Sequence, residues 1–206
     1  MLTVLAGLSA LIYWPMARRA PSVPRSVVKT AAVGLLALAA WQQAAPTLLI
    51  LALVFGSLGD LALSRPGQRP FLLGLISFAC GHLALVGLIL SRPDSDPSRL
   101  VSDHVWLMLA LINLAALMAA ALIPHAGKLH GPVAVYILII FMLGLSALTL
   151  PMGWVALAAA GFIASDAILG WEVFRLAPDA PARTVTSALI WPLYWGAQLG
   201  FLLTLV

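Results

Sequence analysis

Long apolar runs alternate along this chain with short polar or proline-containing breaks. An α-helix needs about 20 apolar residues to cross the hydrocarbon of a bilayer. The pattern predicts eight such helices, over residues 2–14, 27–43, 46–63, 71–90, 104–123, 132–150, 152–172 and 184–205. Because the first run is short and two boundaries rest on the single prolines Pro46 and Pro151, seven spans also fit the pattern.

Composition assigns the class of protein. Of the 206 residues, 63% are hydrophobic and only 9% are charged. The mean hydropathy of +1.07 is far above that of a soluble globular domain. We therefore predict an integral membrane protein with an all-α fold, a polytopic helical bundle of about eight transmembrane helices. The length suits a single integral membrane domain over residues 1–206 and leaves no room for a second, soluble one.

Prolines mark the ends of the runs with one exception. Of the 14 prolines, Pro192 alone lies inside a run and the others fall at or between run ends. Proline removes one backbone donor, and neighbouring helices in a membrane bundle can satisfy the freed carbonyl. We therefore predict a kink in the last helix, beside Tyr194.

Basic residues are distributed unequally between the loops. With eight spans, the even-numbered loops hold only Arg92 and Arg99. The odd-numbered loops hold Arg18, Arg19, Arg25, Arg65, Arg69, Lys128, Arg175 and Arg183. Cytoplasmic loops carry the excess of Lys and Arg, so the odd loops are predicted to be cytoplasmic and both termini to face outward. The net charge of +4 reflects this bias, and no basic stripe with interleaved aromatics predicts nucleic-acid binding.

Five of the polar side chains inside runs stand out, because polar groups there are costly. A carboxylate at the centre of a membrane helix costs roughly 2.5 to 3.5 kcal/mol on insertion scales. At about 1.5 Å per residue, Asp166 lies about 9 Å inside the cytoplasmic end of the seventh run, and Asp60 lies close to that end of the third. His82, Tyr194 and Gln198 come near the midplane. We predict that the five cluster between the midplane and the cytoplasmic boundary.

Helical spacing indicates that these side chains share an interior. Residues on one face recur at steps of three and four. Two runs show this spacing in Phe71, Gly74, Phe78 and His82, and in Ser187, Trp191, Tyr194 and Gln198. Asn113 and Tyr136, at similar depth, are further candidates. Since polar groups in hydrocarbon seek partners or water, we predict one polar cavity lined by all seven.

Each of these residues also has a purely structural interpretation. Asp60 stands near Arg65 and Arg69 and is equally compatible with an ion pair at a helix end. His82, Tyr194 and Gln198 can serve as hydrogen-bonded helix contacts. Glu172 is predicted to be interfacial.

The residue types limit the chemistry of the predicted cavity. A zinc site needs three or four His, Cys or carboxylate ligands, and only one histidine lies inside a run. Serine catalysis lacks a G-x-S-x-G signature and a base beside any serine. Two aspartates facing one another in a cavity of low dielectric constant would provide an acid and a base at neutral pH. That pair is typical of a hydrolase.

The order and spacing of five motifs resemble the YhhN family of lysoplasmalogenases. The motifs are G-D-x-x-L at Gly59–Leu63, F-x-x-G-x-x-x-F-x-x-x-H at Phe71–His82, Pro132 with Tyr136, S-D-x-x-L at Ser165–Leu169, and Y-x-x-x-Q at Tyr194–Gln198. The resemblance covers the third to the eighth run, and its specificity lies in the combination.

The resemblance implies an enzyme that hydrolyses the vinyl ether bond of lysoplasmalogens to a fatty aldehyde and a glycerophospho-base. It implies Asp60 and Asp166 as the catalytic pair, without deciding which is the acid. His82, Asn113, Tyr136, Tyr194 and Gln198 would bind or orient the substrate. The partners expected are a lysophospholipid and membrane lipids, with no cofactor and no metal, in the bacterial inner membrane.

The phosphate of such a substrate is expected near the cytoplasmic ends of the helices. The candidate cations there are Arg65, Arg69, Lys128 and Arg175.

Two other classes of function use the same residues. A small-solute or proton-coupled carrier, or a sensor, would use the aspartates as a proton relay, although such proteins typically show inverted repeats and broken helices. An assembly factor would use the polar residues only to hold helices together. Wild-type behaviour of both Asp→Asn variants would favour the assembly factor.

Overall fold

All eight predicted runs fold as helices in the computed structural model, which describes residues 1–206, and the all-α prediction is confirmed. A ninth, one-turn helix was not predicted. The helices are α1 Leu2–Met16, α2 Val23–Gln42, α3 Thr47–Leu63, α4 Gln68–Leu90, α5 Arg99–Ser102, α6 Val105–Leu122, α7 His130–Ala147, α8 Trp154–Phe174 and α9 Ala182–Leu205. Two turns of 3₁₀ helix, Ile123–His125 and Gly127–Leu129, join α6 to α7.

Six of the helices are long and apolar enough to cross a membrane. Helices α1 and α3 are shorter, with 15 and 17 residues, although equally apolar. The chain is an integral membrane protein, as its composition predicted. The one-turn helix α5 lies in the loop after α4, where the Arg99 guanidinium donates to the carbonyls of Asp94 and Thr149 at 2.6 and 2.8 Å.

Helices α1 to α4 pack as successive neighbours, and the bundle continues from α4 to α7, α8 and α9. Helix α9 returns to the first half of the chain and contacts α1, α2 and α3. Helix α6 stands at the edge, against α7 and α8, with Trp106 and Leu117 exposed. The last helix is therefore the element that brings side chains of the two halves together.

Tryptophan side chains fix α9 against α1 and α2. Pro192 has no N–H, so the carbonyl of Ala188, four residues earlier, has no partner within the helix. The Trp14 indole donates to that carbonyl at 2.9 Å. Trp191 donates to the Ala10 carbonyl at 3.0 Å, and Trp195 donates to an α2 carbonyl at 3.1 Å.

The expectation that Pro192 is the only proline inside a helix is wrong. Helix α1 continues through Pro15 to Met16. The carbonyl that this proline leaves without a helical partner belongs to Leu11, whose side chain is exposed. The helix tolerates Pro15 because this proline stands one residue before the helix end, where only this backbone bond is lost.

Two glycines on α3 allow neighbouring helices to come close beside Asp60. A Cβ atom at Gly56 would lie 2.5 Å from the Gln198 amide nitrogen on α9. A Cβ atom at Gly59 would lie 2.7 Å from the Phe78 ring on α4. Small residues at such crossings are what membrane helices use to pack tightly. The sequence G-x-x-G-D thus sets Asp60 at the junction of α3, α4 and α9.

Candidate functional site

A polar cavity lies at the end of the bundle that carries the odd-numbered loops. Its wall is formed by α1, α2, α3, α4, α8 and α9. Its volume is about 260 Å³. The ionisable and hydroxyl-bearing side chains in its wall are Tyr13, Arg25, Lys29, Asp60, Ser165, Asp166, Glu172, Ser187 and Tyr194. Both aspartates singled out in the sequence therefore border one cavity, at the end of the bundle that carries most of the basic residues.

Asp60 is buried, with 1% of its surface exposed, and each carboxylate oxygen has a partner. The Lys29 ammonium lies 3.0 Å from Oδ1. The Tyr194 hydroxyl donates to Oδ2 at 2.9 Å, and the Gln198 amide donates to the Tyr194 hydroxyl oxygen at 3.3 Å. A charge removed from water needs an ion pair and hydrogen bonds of this kind. Asp60 thus has the surroundings of an ionised carboxylate.

Lys29 is the member of this site that sequence reasoning missed. The ion pair expected at Asp60 involved Arg65 or Arg69 in the following loop, whereas the partner is Lys29 on α2. The signal was present in the sequence, because Lys29 is the only charged residue inside the second apolar run. Its side chain is 13% exposed, whereas that of Asp60 is 1% exposed. Lys29 is therefore the more accessible member of the pair in the cavity wall.

Asp166 has different surroundings. The Tyr136 hydroxyl on α7 donates to Oδ2 at 2.5 Å, and Oδ1 makes no hydrogen bond. No Lys, Arg or His nitrogen lies within ion-pair distance of this carboxyl group. Asp166 and Tyr136 also line an apolar cavity between α4, α6, α7 and α8. Asp166 therefore stands where a polar and an apolar cavity meet.

His82 lies behind the aspartates and not in the wall of the polar cavity. It is 1% exposed, and neither ring nitrogen has a hydrogen-bond partner. Its ring packs edge-on against Phe162 and Tyr136, with centroid separations of 4.4 and 5.6 Å. His82 and Gln198 share a small internal cavity of about 10 Å³. The structure thus connects His82 to the site through Tyr136 and Gln198.

The expectation of one cavity lined by all seven residues is wrong. Asp60, Asp166 and Tyr194 line the polar cavity, whereas Tyr136 lines the apolar cavity, and His82 and Gln198 line the small internal one.

Asn113 lines none of these cavities. The residue is exposed on α6, and its amide donates to the Leu109 carbonyl of the same helix at 2.8 Å. The inward face of α6 is formed by residues such as Leu111 and Ala115. Asn113 is two positions from each, which rotates it to the opposite side of the helix.

Glu172 is not an isolated interfacial residue but part of the polar cavity. Its carboxylate accepts hydrogen bonds from Thr186 and Ser187, and Arg183 lies 3.6 Å away. The cations that line the cavity are Arg25 and Lys29. Those expected near a substrate phosphate, Arg65, Arg69, Lys128 and Arg175, line neither the polar nor the apolar cavity.

The two aspartates are therefore electrostatically unlike. Asp60 faces a cation and one hydroxyl donor, whereas Asp166 faces one neutral donor and an apolar cavity. A buried carboxylate stays ionised at lower cost when it is paired than when it is not. Such a pair can supply a proton from one carboxyl group and accept or stabilise positive charge with the other.

Comparison with known proteins gives the family. A sequence model of the YhhN family matches residues 24–205, which include every helix of the site except α1. The chain belongs to the YhhN family. No solved structure matches it.

Two mycobacterial relatives of this YhhN-family chain carry a functional name. A protein of Mycobacterium bovis named lysoplasmalogenase is 34% identical over 140 residues, which cover 65% of this chain and 52% of the relative. A protein of Mycobacterium tuberculosis with the same name gives the same values. The chain thus spans about half the length of these relatives.

Proposed function

We propose that this protein is a lysoplasmalogenase, which hydrolyses the vinyl ether bond of lysoplasmenyl-ethanolamine or lysoplasmenyl-choline. The observation that carries the proposal is the pair of unlike carboxyl groups, Asp60 and Asp166, on the wall of one cavity in a membrane bundle. The family and the name of the mycobacterial relatives support the same reaction.

Asp166 is proposed as the proton donor. Hydrolysis of a vinyl ether begins when an acid protonates the β-carbon, which turns the ether into an oxocarbenium ion. Asp166 has no cation beside it and a free Oδ1, so it is the carboxyl group suited to carry this proton. Tyr136 holds the other oxygen and fixes the direction of Oδ1. This is general acid catalysis by a positioned carboxylic acid.

Asp60 is proposed as the carboxylate that stabilises the cation and orients water. Water adds to the carbon next to the ether oxygen, and its proton passes to Asp60. The resulting hemiacetal breaks its bond to the glyceryl oxygen, which takes the proton from Asp60. The hemiacetal hydroxyl returns a proton to Asp166 and becomes the aldehyde. Atoms and charges balance, and each aspartate ends in its starting state.

The remaining predicted residues are proposed as positioning residues. Tyr194 and Gln198 form a hydrogen-bonded chain that ends on Asp60, and Tyr136 contacts Asp166. His82 packs against Tyr136 and has no polar contact of its own. Asn113, being exposed on α6, has no role in this mechanism.

The cavity wall also carries groups suited to a phosphate. Arg25 donates to the carbonyls of Met16 and Ala17 and lies beside Lys29 in the wall. These two cations are proposed to face the headgroup, because both border the cavity that contains the aspartates. Lys29→Gln should therefore raise KM for a zwitterionic lysolipid. The same substitution should change the protein's affinity for detergent less.

The basic residues beside the cavity suggest how the protein is oriented in its membrane. The cavity opens beside the odd-numbered loops, which hold most of the basic residues. We propose the bacterial inner membrane, with these loops in the cytoplasm and both termini outside. Cytoplasmic activity of a reporter fused to either terminus would contradict this orientation.

The test uses purified protein, a lysoplasmenyl-ethanolamine and water labelled with ¹⁸O. The proposal predicts release of the fatty aldehyde, together with a glycerophospho-ethanolamine that carries no label, because water attacks the vinyl carbon. The matched control substrate is the saturated 1-alkyl ether, which cannot be protonated at carbon and should not be cleaved. Label in the glyceryl product would contradict the mechanism. A well-folded protein that releases no aldehyde would contradict the function and favour a carrier or sensor.

A further inference from the structure

An apolar groove lies between α4, α6, α7 and α8, with Asp166 in its wall. Its volume is about 90 Å³, and 18 of its 20 lining residues are hydrophobic. The polar side-chain groups in its lining are the Tyr136 hydroxyl and the Asp166 carboxyl. We call the cavity lined by these and by residues such as Leu75, Leu114 and Met118 the apolar groove. Its composition excludes a charged or strongly polar occupant.

The apolar groove adjoins the polar cavity. The residues that line both are Leu63, Phe71, Phe78, Asp166 and Leu169. A molecule with a polar head and an apolar tail can therefore lie with its head beside Lys29 and its tail in the groove. The atoms between head and tail then lie against Asp166.

A second apolar cavity adjoins the apolar groove. That cavity has a volume of about 370 Å³ and lies between α6, α7 and the first turns of α8. The residues common to the two are Leu111, Leu114 and Ile163. From Leu122 at one end to Leu107 at the other, the two cavities follow α6 for about 22 Å. This exceeds half of the roughly 30 Å hydrocarbon thickness, the depth that one lipid chain fills.

Gly144 lies at the junction of the two cavities. It lines the second cavity, and a Cβ atom there would lie 2.9 Å from Ile163 and 3.0 Å from Leu111. Those two side chains border both cavities. A larger side chain at position 144 would therefore displace Leu111 and Ile163, which stand between the two cavities.

We propose that the apolar groove and the second cavity bind the alkenyl chain of the substrate, and that Gly144 sets the length of chain that is accepted. This inference rests on the proposed function. A single hydrocarbon chain is the occupant because the groove is too small for one turn of a helix about 10 to 12 Å across and because the carboxyl group of Asp166 borders it.

The kinetic test compares Gly144→Val with Gly131→Val. Gly131 lies on the same helix and has no atom within 4 Å of an added Cβ. Each buried methylene contributes about a fourfold gain in affinity. Excluding two or three methylenes from the second cavity should therefore lower the long-chain to short-chain ratio of kcat/KM by at least about tenfold. Gly131→Val should leave this ratio unchanged. An active Gly144→Val protein with an unchanged ratio would overturn the proposal.

A second variant protects the test against misfolding. Ala160 lines the second cavity and is exposed at its rim, so Ala160→Leu fills the cavity without crowding a helix crossing. The same fall in the ratio is expected. Equal loss of activity toward both chain lengths in a folded Ala160→Leu protein would contradict a chain-binding role.

A binding experiment separates failure of this inference from failure of the proposed reaction. The probe is a long-chain 1-alkyl lysophosphoethanolamine with a photoreactive group at the chain end, which the protein cannot hydrolyse. Cross-links are expected at second-cavity residues such as Ala156 and Ala159, and not at Leu138, which is exposed on α7. Labelling of second-cavity residues in a protein that releases no aldehyde would support the chain-binding site and contradict the proposed hydrolysis. Labelling only at positions such as Leu138 would overturn the chain site whatever the activity.

Discussion

The ion pair between Lys29 and Asp60 provides the sharpest test of how the site is held in the membrane. Lys29→Met keeps the length and the apolar stem of the side chain but removes its charge. The Asp60 carboxylate then remains 1% exposed, with the Tyr194 hydroxyl as its only remaining side-chain partner. The variant should therefore lose stability and, if Asp60 acts in the reaction, activity as well.

The size of the effect follows from the burial of the two partners. Removing one partner of a buried ion pair costs about 3 to 5 kcal/mol, because the other charge is left uncompensated. Since Lys29 is 13% exposed, we expect a value near the lower end, about 3 kcal/mol. Asp60→Asn alone leaves the ammonium of Lys29, which can reach water through the cavity, and should cost less. The double variant removes both charges and should be more stable than Lys29→Met.

The assay is the free energy of unfolding of the wild type, both single variants and the double variant, measured in the same detergent. The matched control is the pair Arg92 and Asp94, which has a similar separation of 3.1 Å but side chains that are 35% and 48% exposed. Exposed pairs are worth about 0 to 1 kcal/mol. The coupling energy should thus be about 2 kcal/mol or more for the buried pair.

Additive effects of Lys29→Met and Asp60→Asn would refute this reasoning. They would mean that the two groups do not interact in the folded protein, and that Asp60 is neutral or is compensated from elsewhere. A double variant that recovers stability but not activity would instead separate the structural role of the pair from the chemical role of Asp60.

Three further substitutions test the site and its packing. Tyr136→Phe removes the hydrogen bond to the carboxylate that forms when Asp166 gives up its proton, and should lower kcat by about 10-fold to 100-fold in an aldehyde-release assay, the value of a hydrogen bond to a charged group. Gly59→Ala introduces a methyl group 2.7 Å from the Phe78 ring and should lower the free energy of unfolding by about 1 to 3 kcal/mol. Asn113→Leu should leave kcat/KM within about twofold, because surface substitutions have small effects.

These substitutions have internal controls. Gly196→Ala adds a methyl group where no atom lies within 4 Å and should leave the stability unchanged, so an equal loss in both glycine variants would argue against close packing at Gly59. A Tyr136→Phe protein with full activity would remove this hydroxyl from the mechanism. Strong inactivation by Asn113→Leu would mean that α6 turns its other face inward.

The helices were predictable because each is a long apolar run, and hydrophobic patterning dominates structure in a membrane. Their ends were less so. Helix α1 includes Pro15 because this proline stands one residue before the helix end, where only one backbone hydrogen bond is lost. The one-turn helix α5 depends on the Arg99 contact with the Thr149 carbonyl, 50 residues away, which no local pattern reveals.

The candidate site was predictable in its residue types more than in its contacts. Asp60 and Asp166 stand out because charge in an apolar run is costly, and the same argument applies to Lys29. The sequence could not show which face of each helix points into the bundle. Asn113 is as polar and as deep as the others, yet the inward face of α6 is set by its contacts with α7 and α8. The division of partners between the two aspartates likewise follows from helices that are distant in sequence.

The most direct test of the account is aldehyde release from a lysoplasmenyl-ethanolamine by the wild type, Asp60→Asn and Asp166→Asn, each shown to be folded by its melting curve. The account predicts release by the wild type and loss of at least about 100-fold in both variants, as expected when a general acid or its partner carboxylate is removed. Full activity in either folded variant would contradict the claim that these two carboxyl groups carry out the reaction.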